Sequence, residues 1–296
     1  MLSTLASILF EPFTYPFMQQ AFVMVALVAL PTAALSCFLV LKGWSLMGDA
    51  ISHSVLPGVV GAYILGFSFA IGAFVAGMVC ALATGFLKEN SRLKEDTIMG
   101  VVFSSMFALG LVMMSKIESG LHLDHILFGD VLGLSWQEVL EAAAMTVIIM
   151  SILVVKGRDL VVFVFDIQHA KAIGLPVTVL HYGLLCMLSL TIVAALKAVG
   201  MILVIAMLIT PGATAHLVTQ KFQSMVLLSV AISLVSSFLG VYLSFFIDSA
   251  PAPTIIVLMT LIFICVFIHH SYQASQMMAA SSDDKSERVP RVFQSQ

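Results

Sequence analysis

Apolar residues fill this chain in long blocks, and short polar stretches separate the blocks. A helix that crosses a bilayer needs about 20 apolar residues. Nine blocks have that character: 18–41, 46–66, 68–87, 97–115, 137–155, 178–196, 199–218, 223–247 and 253–270. The pattern predicts an all-α integral membrane protein, a polytopic bundle of eight to nine transmembrane helices. The lower number applies if 199–218, interrupted by Thr210-Pro211-Gly212, is bent or partial. Three regions follow. An interfacial segment broken at Pro12 and Pro16 covers 1–17, a transmembrane domain covers 18–270, and a polar, disordered cytoplasmic tail covers 271–296.

Composition agrees with the pattern. Charged residues make up 10% of the chain, against about 25% in soluble domains. No basic run marks a nucleic-acid partner. The N-terminus lacks the basic start and small-residue cleavage site of a signal peptide, so it reads as retained. Cys37, Cys80, Cys186 and Cys265 each sit inside an apolar run, form no CxxC pair and read as small buried residues.

The distribution of charge gives a direction. With all nine blocks spanning and Lys42 placed in the cytoplasm, 11 of the 13 Lys and Arg fall on that side, and Lys116 and Lys197 fall on the other. Basic residues concentrate at the cytoplasmic face of membrane proteins. The N-terminus is therefore expected outside and the C-terminus inside. Trp44 and Trp136 then stand at span ends as interfacial aromatics. Two connections stand out. The outer one, 116–136, carries His122, Asp124, His125 and Asp130, and reads as a solvated acidic loop or a docking surface for cations. The inner one, 156–177, is long, and its DIQHAKAIG portion reads as a short amphipathic helix stopped by Gly174 and Pro176.

Chemistry concentrates in GWSLMGDAISHSVLPGVVGAYILG, from Gly43 to Gly66. Asp49 and His53 are one helical turn apart and share a face, and Pro57 and Gly61 continue that line. The adjacent line is Ala50, Ser54, Gly58 and Ala62, small enough for another helix to approach closely. Counted from Gly43 at 1.5 Å per residue, Asp49 lies roughly 9 Å and His53 roughly 15 Å into the bilayer. Ionisable groups at such depth mark functional sites by default. A carboxylate and an imidazole suit manganese, ferrous iron or zinc. Two ligands from one chain hold an ion weakly, and a two-fold dimer supplies four. The structural alternative is a local Asp–His hydrogen bond that holds the helix to a neighbour. HExxH, GxSxG and P-loop motifs are absent, so the chain is not expected to be an enzyme or to hydrolyse ATP itself.

These residues resemble a known family. LKGWSLMGDAISHSVLPGV is similar to the LSLMGDALSHAVLPG signature of permeases in bacterial ABC importers of manganese, iron and zinc, relatives of the vitamin B12 importer permease. ILFGDVLGLS at 126–135, FDIQHAKAIGLP at 165–176 and VGMILVIAMLITPGATA at 199–215 resemble further family segments in the expected order. The resemblance implies that Asp49 and His53 coordinate metal within the membrane. It also implies a cytoplasmic coupling helix with ATPase-coupling roles for Asp166, His169, Ala170 and Gly174. The implied partners are cytoplasmic ATPase subunits, a periplasmic metal-binding protein and a second permease copy or close homologue in the bacterial inner membrane. The metal is cargo, and no cofactor is expected to stay bound. The rival reading is a self-sufficient secondary transporter or channel that uses Asp49 and His53 as a proton-linked site. No second DxxxH appears in the other half of the chain, as a repeat of such a site would require.

Overall fold

The structure, a computed structural model, describes residues 10–116, 129 and 131–288. Among these residues there is no strand. A 3-10 turn over Glu11–Thr14 leads into α1 (Pro16–Lys42), followed by α2 (Ser45–Ser54), α3 (Leu56–Leu65), α4 (Phe69–Asn90) and α5 (Glu95–Met114). Next come α6 (Trp136–Phe165), α7 (Ile167–Ala172), α8 (Val177–Val218), α9 (Phe222–Ile247) and α10 (Pro251–Arg288). Eight described helical segments are long and apolar enough to cross a bilayer, with α8 supplying two of them. The pair α2–α3 accounts for the ninth predicted block.

Helix α1 forms the hub, since 72% of its spanning window is buried. It packs on α6, α8 and α9. Its Pro31 has no N–H, which leaves the Leu27 carbonyl without its usual helical donor. Thr146 of α6 donates its hydroxyl to that carbonyl at 2.9 Å. Ser229 of α9 similarly donates to the Ala33 carbonyl at 2.8 Å. Polar side chains thus cross between helices where lipid cannot satisfy the backbone.

Helix α8 reverses direction at Gly200, whose φ of 75° and ψ of 167° are non-helical. A straight helix would hold His181 and Gly212 about 46 Å apart. Yet His181 rests its ring 5.1 Å from that of Trp44, and the Gly212 N–H reaches Ser36 Oγ at 2.9 Å. Ser36 and Trp44 both belong to the last turns and exit of α1. The parts of α8 before and after Gly200 therefore form an antiparallel pair with almost no loop.

Several expectations need correction. The block 199–218 is helical through Pro211 to Val218, and Ser36 of α1 binds beside the proline, donating to the Ile209 carbonyl at 3.2 Å and accepting from the Gly212 N–H. The hydrogen-bond ladder is interrupted instead at Val55, between α2 and α3, where the backbone nonetheless keeps helical angles of φ −66° and ψ −28°. Trp44 is 1% exposed and packs inside the protein, so it is no lipid-interface aromatic. Cys37 and Cys80 are buried, but Cys186 is half-buried and Cys265 exposed. Most of the presumed inner loop 156–177 is helix, since Leu160, Phe163 and Val164 keep the end of α6 packed on the core. The last helix continues to Arg288, beyond the boundary at 270. Its Ala, Met, Gln, Lys, Glu and Arg are good helix formers.

Candidate metal site and coupling helix

Helix α2 starts directly after the buried Trp44, which fixes its inner end. Pro57 cannot donate to the carbonyl of His53, four residues earlier, and the helix divides at Val55. Two flanking helices shape the broken pair. On one side the small-residue line packs on α4. A side chain on Gly58 would run into Gly72 and Ala76, and one on Gly72 into Gly58 and Ala62. The Cys80 thiol lies 3.8 Å from the Ala50 carbonyl. On the other side runs α5. Its Gly110 is close enough that a Cβ there would meet the nitrogen of Pro57 at 2.9 Å. Farther in, Phe103 and Phe107 hold the His53 ring, at centroid distances of 5.8 and 5.3 Å.

Asp49 and His53 sit on the open side of this assembly. Nε2 of His53 lies 3.3 Å from Oδ1 of Asp49, and their side chains are 28% and 31% exposed, respectively. Nδ1 of His53 is buried and has no hydrogen-bond partner. The spacing fits a cation. Two ligand atoms about 2.1 Å from one ion lie about 3.0 Å apart at a right angle and about 3.4 Å apart at the tetrahedral angle. The observed separation falls between these, so one ion could be held by both atoms with little movement of either side chain. No group of three or more His, Cys, Asp or Glu occurs among the described residues. Asp49 and His53 alone therefore supply two ligand atoms. Pro57 is buried and Gly61 half-buried, so the polar line ends where α5 covers it. Phe103 and Phe107 were not apparent from the sequence, where they look like ordinary apolar positions of a spanning helix.

The second predicted group lies at the Lys42 end of the bundle. Lys42 Nζ donates to the Phe163 carbonyl at 3.4 Å and sits 4.2 Å from the centre of the Phe163 ring. Just beyond, Asp166 caps α7, with Oδ1 accepting from the N–H groups of Gln168 at 2.8 Å and His169 at 3.0 Å. Gly174 ends the motif with a φ of 78°, and the Leu175 N–H closes it on the Ala170 carbonyl at 3.0 Å. Asp166, His169 and Gly174 are exposed, as are Phe165, Ile167 and Ile173. Ala170 is fully buried, so it cannot contact a partner directly and instead anchors α7 to the bundle. His122, Asp124, His125 and Asp130 lie outside the described residues.

The chain is similar to known proteins along most of its length. The ABC 3 transport family matches residues 14–270. The chain is 52% identical over 269 residues to the chelated iron transport system membrane protein YfeD of Yersinia pestis, covering 91% of each chain. It is 48% identical over 260 residues to the manganese transport system membrane protein MntB of a Synechocystis species, covering 88% of this chain and 85% of that one. Among solved structures, PsaBC from Streptococcus pneumoniae in complex with Fab superposes with a TM-score of 0.81 at 36% identity, covering 88% of this chain and 95% of that one.

Proposed function

The chain belongs to the ABC 3 transport family, and we infer from this that it is the membrane permease subunit of an ATP-driven importer of a divalent transition metal, manganese or iron. One observation carries the site assignment: a carboxylate oxygen and an imidazole nitrogen, 3.3 Å apart and about a third exposed, on a helix interrupted at Val55 inside the membrane domain. Two protomers facing each other bring four such atoms to one ion. The relatives' names attach iron to one and manganese to another, and an oxygen–nitrogen pair accommodates both. Family membership displaces the reading as a self-sufficient transporter or channel.

The chain has no nucleotide-binding motif, so ATP hydrolysis belongs to partner subunits on the cytoplasmic face. Helix α7 is the docking element for them. It presents Ile167, His169 and Ile173 outward while Ala170 holds it to the bundle, a helix-in-groove arrangement. A soluble binding protein delivers metal at the opposite face. The basic bias puts the C-terminus in the cytoplasm of a bacterial inner-membrane protein.

Two experiments test this arrangement. Arg158→Cys, at the exposed inner end of α6, should react only with thiol reagents that reach the cytoplasm, whereas Ser249→Cys, between α9 and α10, should react from outside. Labelling of position 158 from outside reverses the orientation and detaches α7 from any cytoplasmic ATPase. In Gly174→Leu the new Cβ meets no atom within 4 Å but a side chain is forced onto a φ of 78°, a strain of about 1–2 kcal/mol. The variant should insert normally yet lose at least four-fifths of its uptake while the ATPase subunits still hydrolyse ATP. Unchanged uptake together with an unchanged ATPase response removes α7 from the coupling role.

A further inference from the structure

We propose that Phe103 and Phe107 make His53 a deliberately weak ligand by denying its second ring nitrogen a hydrogen-bond acceptor. The proposal rests on the reading of Asp49 and His53 as the metal site. Histidines that bind metal almost always donate the other ring N–H to a carboxylate, carbonyl or water, which fixes the ring and strengthens it as a ligand, and loss of such a partner lowers affinity about 10–100-fold. When neutral His53 ligates through Nε2, the nitrogen beside Asp49, its proton sits on Nδ1. That atom is buried and has no hydrogen-bond partner. Its ring packs instead against Phe103 and Phe107, tilted by 33° to the first and near perpendicular, at 83°, to the second. An aromatic face is at best a weak acceptor for an N–H group.

The two phenyl rings therefore fix the imidazole by shape and exclude the groups that would strengthen it. Such a site suits transit, because an ion must leave as readily as it arrives. Phe103 and Phe107 are four residues apart on α5, so one face of that helix supplies both rings. Gly110, on the same helix, allows the close approach to Pro57 that sets them against His53. In this arrangement the two phenylalanines are positioning residues that act through His53 and do not touch the ion.

The test gives Nδ1 an acceptor. Phe107→Gln and Phe103→Gln are made separately, with Phe107→Leu and Phe103→Leu as apolar counterparts, so that misfolding of one glutamine variant leaves the other comparison intact. Binding of Mn2+ to the intact permease–ATPase assembly in lipid nanodiscs is measured by equilibrium dialysis, and uptake is measured at saturating metal. At least one glutamine variant should bind Mn2+ at least tenfold more tightly than its leucine counterpart and transport it more slowly. The gain should vanish when His53→Ala is added. Equal binding by both glutamine variants and their leucine counterparts overturns the proposal. So does a gain that persists without His53, since the glutamine would then be a ligand itself. If His53→Ala alone leaves Mn2+ binding and uptake at the parent's level, the site assignment fails and the proposal falls with it.

Discussion

Asp49→Asn and His53→Ala are each expected to lower metal uptake at least tenfold while the permease still assembles with its ATPase subunits. Asparagine keeps the size of the aspartate but removes the charge that offsets a divalent cation in a poorly solvated path. At an effective dielectric of about 20, two unit charges 4 Å apart interact by about 4 kcal/mol, and tenfold in rate requires about 1.4 kcal/mol. The expected loss therefore exceeds the threshold comfortably. His53→Ala removes the nitrogen ligand and opens a gap beside Phe103 and Phe107, so the amount of assembled protein has to be measured alongside flux. The two side chains are about a third exposed and contact each other, which limits what their loss does to the folded bundle. If the pair were a structural clamp, assembly would fall first and flux per assembled complex would stay constant. A well-assembled Asp49→Asn, His53→Ala double variant that transports at the parent rate would eliminate the pair as the metal site.

The second large effect is on stability. Gly58→Ala places a methyl group inside the backbone of α4 at Gly72, where backbone, not a flexible side chain, stands in the way. Overpacking of this kind typically destabilises by about 1–3 kcal/mol and occasionally more, and here two helix backbones must separate to relieve it. Gly61→Ala, three residues further along α3, meets only the end of Met113 at 3.9 Å and improves helix propensity. Thermal unfolding in detergent should separate the two: Gly58→Ala loses several degrees and part of its monodisperse fraction, while Gly61→Ala matches or exceeds the parent. Equal behaviour of the two variants would mean that α3 and α4 do not pack backbone to backbone at Gly58.

The architecture and the pairing of Asp49 with His53 were legible in the sequence. Within lipid every backbone polar group needs an internal partner, so long apolar blocks have almost no choice but helix. The blocks fall close to the helices observed. Asp49 and His53 were equally accessible, because an i, i+4 pair is brought together by the helix alone. The cap on α7 is local in the same way, with Asp166 reaching N–H groups two and three residues ahead. The tertiary structure decided what depends on contacts between distant residues. Pro211 and Pro57 each remove one backbone donor. From the sequence the first looked like the weak point, yet the helix runs through Pro211 with Ser36, far away in the chain, bound beside it, and the interruption occurs beside Pro57 at Val55. The α8 reversal rests on Gly200, a single residue inside an otherwise unbroken apolar stretch. Ala170, read as a coupling residue, is turned inward by the bundle beneath it. Phe103 and Phe107 became distinguishable only once Gly110 let α5 close on the broken helix. Periodicity can report that a side chain is apolar. Which nitrogen of which histidine it covers is set by how helices pack across the bundle.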